Sequence, residues 1–334
     1  MALADTLQAG WYGGERLPWW VYPLAALYGA VVAIRRRLYR SRWLRVVQLP
    51  CPVIVVGNIT AGGAGKTPLT LALVDALRER GYRPGVVSRG YGGSRREPAL
   101  LDSAATPAEV GDEPCLMHAS GVAVAVGRDR PAAAQLLVGA GCTVVIADDG
   151  LQHYRLARDL EICVIDGDRR FGNARLLPAG PLREPLGRLE KVDFRVCNGG
   201  DARSGEVSMR LRGSQARRLS DGCERPVADF SRARAHAVAA IGHPQRFFAS
   251  LAAQGIEVIA HPFADHHAFV PQDLAFGDDL PVLMTEKDAI KCRAFAQPHW
   301  WSVPVRAELP SSFYDALRAR LDSVQATSAP MALS

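Results

Sequence analysis

The sequence predicts an α/β fold: a mostly parallel sheet with helices on both faces, a second and smaller α/β domain, and an N-terminal membrane-associated helix. Three observations lead there. Short Val/Ile-rich runs alternate with amphipathic stretches, and such runs are too short for helices but suit strands buried on both faces. A Gly-rich loop separates one of these runs from a helix. An uncharged apolar stretch at residues 17–34 (LPWWVYPLAALYGAVVAI) precedes them all and runs straight into arginines.

The chain has 334 residues, 48% hydrophobic and 22% charged. That is globular composition with length for two domains of about 150 residues, and it excludes a disordered or collagen-like chain. Forty Lys and Arg against 34 Asp and Glu give +6, and the excess is local, since Arg35, Arg36, Arg37, Arg40, Arg42 and Arg45 fall in one short stretch. A local excess suits one anionic surface better than a nucleic acid, so no nucleic-acid partner is expected. Residues 17–34 have about the minimum length of a span. The arginines follow the apolar run and no small-residue cleavage site appears, which argues against a signal peptide. Trp19, Trp20 and Tyr22 at one end and Arg35, Arg36 and Arg37 at the other are interfacial anchors, while Pro18 and Pro23 weigh against a full crossing. Three readings stay open: a helix lying in the membrane face, a span, or a buried helix. The first two place the body on the cytoplasmic side of the membrane. Seven cysteines without a CxxC pair support neither zinc nor disulfides and indicate a reducing compartment.

Past this segment, residues 53–56 read as a buried strand, 68–80 as a helix stopped by Gly81, and 85–88 as the next strand. Further strands are expected at 122–126, 143–147, 160–165 and 194–197. Residues 199–231 are rich in Gly, Ser, Arg and Asp and read as a connector, within which VSMRLR alternates like a half-exposed strand. Strands at 236–241, 257–259 and 281–284, a helix near 245–254 and a final amphipathic helix at 311–324 make the second domain. The expected partition is 1–45 for the membrane helix and basic flank, 46–200 for the larger domain, 201–231 for the connector, 232–325 for a lid-like domain, and 326–334 for a tail.

Residues 53–77 place a buried strand, a Gly-rich loop and the start of a helix at GKT, which is the context of a P-loop and makes the larger domain P-loop NTPase-type. Thr60, Gly62, Gly63, Ala64, Gly65, Lys66 and Thr67 would cradle the nucleotide: backbone N–H groups and the helix N-terminus face the phosphates, Lys66 adds a point charge, and the Thr67 hydroxyl can ligate Mg²⁺. Thr60 stands where GxxxxGK[ST] has its first glycine. Asp148 and Asp149 directly follow an apolar strand and are candidate Mg²⁺ ligands. Thr285 to Ala289, TEKDA, lacks the NKxD pattern of guanine selection, which leaves ATP as the expected nucleotide.

The chain resembles the tetraacyldisaccharide 4'-kinases of lipid A biosynthesis. The resemblance rests on GNITAGGAGKTP at 57–68, SRGYGG at 88–93, GDEP at 111–114, DDGLQH at 148–153, LLPAGPLREP at 176–185, FADHH at 263–267 and TEKDAIK at 285–291, in this order. It implies ATP and Mg²⁺ as cofactors, an acylated glucosamine disaccharide 1-phosphate as acceptor, and a peripheral or monotopic enzyme on the cytoplasmic face of the bacterial inner membrane. It also implies catalytic roles for Lys66 and for a carboxylate and histidine sharing the acceptor proton, matched by Asp112 and His266, with His267 open as the alternative. Glu184 would join the metal shell, and Asn58, Arg89, Tyr91, Arg128, Gln152, His153 and Arg183 would meet the substrate. Asp112 is expected in a loop above the sheet. The competing reading is a membrane-associated P-loop ATPase switch that positions a protein partner; the FADHH segment in a compact second domain favours the kinase, because a kinase needs a lid carrying a base.

Overall fold

The computed structural model describes residues 3–328. Two helices, α1 (Leu3–Tyr12) and α2 (Val21–Arg40), open the chain. There follow β1 (Val53–Gly57), α3 (Lys66–Arg78), β2 (Pro84–Ser88), β3 (Ala99–Leu100), α4 (Pro107–Val110), α5 (Asp112–Ala119), β4 (Ala123–Val126), α6 (Arg130–Gly139), β5 (Val144–Asp148), β6 (Leu160–Asp166), β7 (Phe194–Asn198) and β8 (Val207–Arg212). The second half contains β9 (Gln215–Arg218), β10 (Glu224–Pro226), β11 (Arg234–Ala239), α7 (Pro244–Ala252), β12 (Glu257–Pro262), β13 (Val282–Thr285), α8 (Glu286–Cys292), β14 (Trp300–Val303), β15 (Arg306–Glu308) and α9 (Ser311–Ser328).

Among the described residues the strands form a nine-stranded sheet, ordered β15-β8-β7-β6-β1-β5-β2-β4-β3, and a six-stranded sheet, ordered β10-β9-β14-β13-β11-β12. The larger is parallel except at its two edges, where β15 runs against β8 and β3 against β4. Period-2 alternation divides its core. Ile54 and Val56 pack with Leu69 and Leu73 of α3 and with Phe313, Leu317 and Leu321 of α9. Val53 and Val55 pack on the opposite face with Leu137 of α6 and with Leu151 and Leu182. β1 lies between β5 and β6, so successive chain segments diverge to opposite sides of it. The crevice beyond the carboxyl ends of strands at such a point is where α/β sheets bind ligands.

Several expectations need correction. α3 begins at Lys66, two residues before the expected start, and β5 extends to include Asp148. Asp112 is the first residue of α5 instead of a loop residue, because Gly111, at φ +91°, ends α4 and starts α5 at once. The VSMRLR strand alternates as expected, with Met209 buried and Arg210 and Arg212 exposed, but it extends the larger sheet instead of serving as a connector. β15 and α9, expected in the second domain, return to the larger sheet, where Phe313, Leu317 and Leu321 find their apolar partners. Of the expected tail at 326–334, residues 326–328 continue α9 and the rest lies outside the described residues.

At the N-terminus, α1 was not foreseen. No helix among the described residues is long and apolar enough to cross a membrane. A buried helix does not fit either, since Val21 is the buried residue of α2 while Trp19, Leu27, Val31, Ile34 and Trp43 are exposed. α2 is fastened to the body on its other face, by Tyr28 Oη donating to the Arg183 carbonyl (3.0 Å) and by Arg36 beside Glu184 (3.8 Å).

Candidate active site

The P-loop joins β1 to α3. Gly65 caps α3 at φ +89°, a conformation that favours glycine, and an added Cβ would run into the Asn198 amide. Asn58 is fully buried; its Nδ2 donates to Thr60 Oγ1 (3.3 Å) and the Gly62 carbonyl (3.2 Å), and its Oδ1 accepts from Lys66 Nζ (3.4 Å). Asn58 therefore shapes the loop from within, in contrast to the substrate contact expected of it. A second layer supports the loop from the PAGPLREP segment: Ala61 N donates to the Pro181 carbonyl and Arg183 N to the Ile59 carbonyl, both at 2.7 Å. Thr60 is bridged to Leu182 in that layer, which gives the unusual residue a structural place.

The adjacent aspartates face opposite environments. Asp148 is buried; burial, with repulsion from Glu113 and Asp149, raises its pKa even though Lys66 opposes the shift. Its Oδ1 accepts from Thr70 Oγ1 (3.4 Å) and its Oδ2 has no protein partner. Asp149 resists the effect of burial because Lys66 (3.5 Å) and Arg183 (3.0 Å) hold its carboxyl well below the usual carboxylate range. An orphaned, buried carboxylate oxygen of a residue that lines the same cavity as Thr67 fits a cation.

Glu184 does not fit that shell. It is buried with its oxygens bonded to Tyr154 Oη and Gln152 Nε2 (3.2 Å) and facing Arg188 (3.6 Å), so it organises its neighbours instead of presenting a free ligand atom. Gln152, which also donates to the Asn58 carbonyl (3.1 Å), is likewise engaged within the protein. His153 lines the cavity with an unpartnered Nε2; burial and the charges of Arg130, Arg158 and Arg35 push its pKa down to about 3, so it is neutral. Arg89, Tyr91 and Arg128 line the same cavity.

The clearest juxtaposition links the two sheets. His266 Nδ1 lies 3.2 Å from Asp112 Oδ2, although the residues are 154 positions apart in sequence. Lys291 Nζ is 3.2 Å from the same carboxylate oxygen and Lys287 Nζ is 3.5 Å from His266 Nε2. Burial would raise the Asp112 pKa, but the hydrogen bond with His266 and the Lys291 charge outweigh it and hold the carboxyl below its ordinary value. His266 adopts φ +62°, which turns it away from its neighbour in sequence, and its ring lies 5.4 Å from that of Tyr91. His267 is instead bonded to Asp273 (2.8 Å) and packed against Phe263 and Phe269.

A cavity of about 1220 Å³ connects these parts, lined by P-loop residues including Lys66 and Thr67, by Asp148, Asp149 and Arg183, by His266 and Lys287 of the second sheet's side, and by Tyr28, Val31, Val32, Arg35 and Arg36 of α2. Sequence reasoning assigned no chemistry to Lys287 and missed Lys291 as a part of the site; their i, i+4 spacing in TEKDAIK, which places both on one helix face, was the available signal. Arg130, buried against the aspartates with an unpartnered Nη1, lines the cavity as well.

A model of the tetraacyldisaccharide-1-P 4'-kinase family matches residues 17–322. The tetraacyldisaccharide 4'-kinase of Stenotrophomonas maltophilia is 55% identical over 326 residues, covering 94% of this chain and 96% of that protein. The enzyme of the same name from Xanthomonas campestris pv. campestris is 50% identical over 333 residues, covering 94% and 95%. Among solved structures, the "apo" form of LpxK from Aquifex aeolicus in complex with ATP superposes with a TM-score of 0.74 at 28% identity, covering 90% of this chain and 98% of that one.

Proposed function

The chain belongs to the tetraacyldisaccharide-1-P 4'-kinase family, and from that premise we propose how it transfers the γ-phosphate of ATP to the 4'-hydroxyl of an acylated glucosamine disaccharide 1-phosphate. The observation that carries the mechanism is the contact between Asp112 and His266 at the cavity shared with the P-loop.

The two partners of His266 assign its tautomer. The Asp112 carboxylate accepts at Nδ1, so Nδ1 carries the hydrogen, and the Lys287 ammonium donates toward Nε2, so Nε2 carries a lone pair. A sugar hydroxyl that takes the place of Lys287 at Nε2 meets a base oriented and electrostatically supported by Asp112. Lys66, now held by Asn58 and Asp149, is placed to exchange those partners for the transferring phosphoryl group. Thr67 and Asp148 would hold a Mg²⁺, which neutralises charge on the β- and γ-phosphate oxygens when bound. Arg183 keeps Asp149 ionised beside them, and Arg89, Tyr91, Arg128 and His153 offer the wall against which the acceptor lies.

The exposed face of α2, with Leu27 and Ile34 and flanked by Trp19 and Trp43, and its arginine-rich end would rest the protein on the cytoplasmic face of the inner membrane as a peripheral or monotopic enzyme. The opposite face of α2 reaches the cavity through Tyr28 and Arg36, so an acceptor still anchored in lipid would enter along this helix. In this reading the second sheet, with α7 and α8, is the lid that brings His266 to the donor.

The test compares Asp112→Ala, His266→Ala and the double variant by mass gain of one phosphate on the lipid. Groups acting as one unit lose most of the rate singly and little more together. Additive losses, or a His267→Ala defect exceeding that of His266→Ala, would defeat the assignment.

A further inference from the structure

The loop after β6 contributes one side chain that touches three separate parts of the molecule. Arg169 donates from Nε to Asp166 at the end of β6 (3.0 Å), from Nη1 to the Gly242 carbonyl beyond β11 (3.1 Å), and from Nη2 to the Gly63 carbonyl of the P-loop (2.8 Å). Tyr12, at the end of α1, lies with its ring 5.5 Å from the guanidinium. α1 is itself fixed to the same loop by Trp11 Nε1 donating to the Pro178 carbonyl (2.9 Å). At this junction the P-loop and the second sheet's side come close enough that a Cβ on Gly242 would stand 3.0 Å from Gly63 N.

What Arg169 holds at Gly242 bears on the acceptor side. The segment just after β11 carries Ala240, whose carbonyl accepts from His266 N (3.3 Å). A displacement of Gly242 relative to Gly63 therefore moves His266 relative to the phosphate donor. The shape of the P-loop has independent supports in Asn58 and in residues 181–183, so Arg169 is not needed to keep the loop folded. We propose that Arg169 is a positioning residue that sets the register of the P-loop against His266 by bonding one carbonyl on each side. The proposal rests on the reading of His266 as the proton acceptor. A planar guanidinium suits this because its fork reaches two diverging carbonyls while Nε stays on Asp166; a lysine ammonium is a single point and cannot span them.

The experiment uses the full chain with Arg169→Ala and the milder Arg169→Lys, each alone and combined with His266→Ala. It measures kcat for lipid phosphorylation and, separately, equilibrium binding of ATP without acceptor. Both Arg169 variants are expected to lower kcat about 10- to 100-fold, as misplacement of reacting groups by about 1 Å does, while ATP affinity changes less than about threefold. In the His266→Ala background, either should cost less than about threefold more, because the residue being positioned is gone. Should Arg169→Ala fail to fold, Arg169→Lys alone decides. A kcat within about twofold of the unsubstituted protein, ATP affinity falling in step with kcat, or a full multiplicative loss in the His266→Ala background each overturns the registration role. A silent His266→Ala with Arg169 intact is a different result: it removes the acceptor reading itself and this role with it.

Discussion

Replacing Lys66 with Ala separates a catalytic charge from a structural one, because the ammonium also has partners within the protein. Its Nζ is 3.5 Å from Asp149 Oδ1 and 3.4 Å from Asn58 Oδ1. Each partner keeps other contacts: Asp149 two of 3.1 and 3.0 Å from Arg183, and Asn58 its Nδ2 bonds to Thr60 and Gly62, while Asn58 Oδ1 gives up only a long contact of 3.4 Å. The Asp149 side chain is a third exposed, so the lost pair should cost less than about 1 kcal/mol of stability. For a chain of this size that lowers Tm by no more than about 2 to 4 °C. The loss in turnover should be far larger, about 2.7 to 4 kcal/mol or 10²- to 10³-fold in kcat, the usual effect of deleting one donor aimed at developing charge. The assay is phosphate transfer to detergent-dispersed lipid at saturating ATP, with Tm measured on the same preparation. A folded variant within tenfold of normal kcat would remove Lys66 from the transition state, and a Tm drop well beyond that range would show that the lysine is structural.

Further outcomes follow from other parts of the site. Asp148→Asn should abolish Mg²⁺-dependent turnover by at least about 100-fold yet raise Tm in chelator by about 2 to 6 °C, because it removes a desolvated carboxylate repelled by Glu113 and Asp149; a lower Tm would contradict that electrostatic account. The sign for Asp112 is opposite: its folded pKa is depressed, so its contribution is complete above the ordinary carboxylate value and lost as pH falls through the lower folded one, and Asp112→Asn should flatten the acid limb of stability versus pH. Trp19, Leu27, Ile34 and Trp43 replaced together by Ser should weaken binding to anionic vesicles by at least about 100-fold, since each buried apolar side chain contributes about 1.5 to 3 kcal/mol, with kcat on dispersed lipid retained. Unchanged vesicle binding would place the anchor elsewhere.

Local signals were legible in the sequence and long-range ones were not. The P-loop and the interior strands could be read because a buried parallel strand declares itself in a few consecutive residues, as at Val53–Gly57 and Leu160–Asp166. β8 could be read as an alternating run at most and β15 not at all, since membership of the larger sheet depends on partners far along the chain. Arg183 and Glu184 illustrate the limit on side chains. Neighbours in sequence and both expected at the ligands, they part in the fold: Arg183 reaches Asp149 while Glu184 points to Tyr154 and Gln152. His266 and His267 are the converse case: sequence left the choice open, and a left-handed residue at 266 directs one ring to Asp112 and the other to Asp273.

Charge balance ties these features together. Four cations of the site are engaged within the protein: Lys66 and Arg183 with Asp149, Lys287 with Glu113, and Lys291 with Asp112 and Asp288. Substrates that meet these four enter by exchanging partners instead of neutralising bare charge. The side-chain atoms left over are informative for the same reason. Asp148 Oδ2, Arg130 Nη1, His153 Nε2 and His243 Nδ1 are each buried without a partner and each belongs to a residue lining the cavity. Buried polar atoms are almost always satisfied in native proteins, so orphans gathered at one cavity mark positions that a ligand completes. A lone carboxylate oxygen calls for a cation, a lone guanidinium nitrogen for an anion, and a neutral imidazole nitrogen for a hydroxyl or amide. A metal, a phosphate and a sugar supply these three complements, and a kinase acting on a phosphorylated sugar binds all three at once.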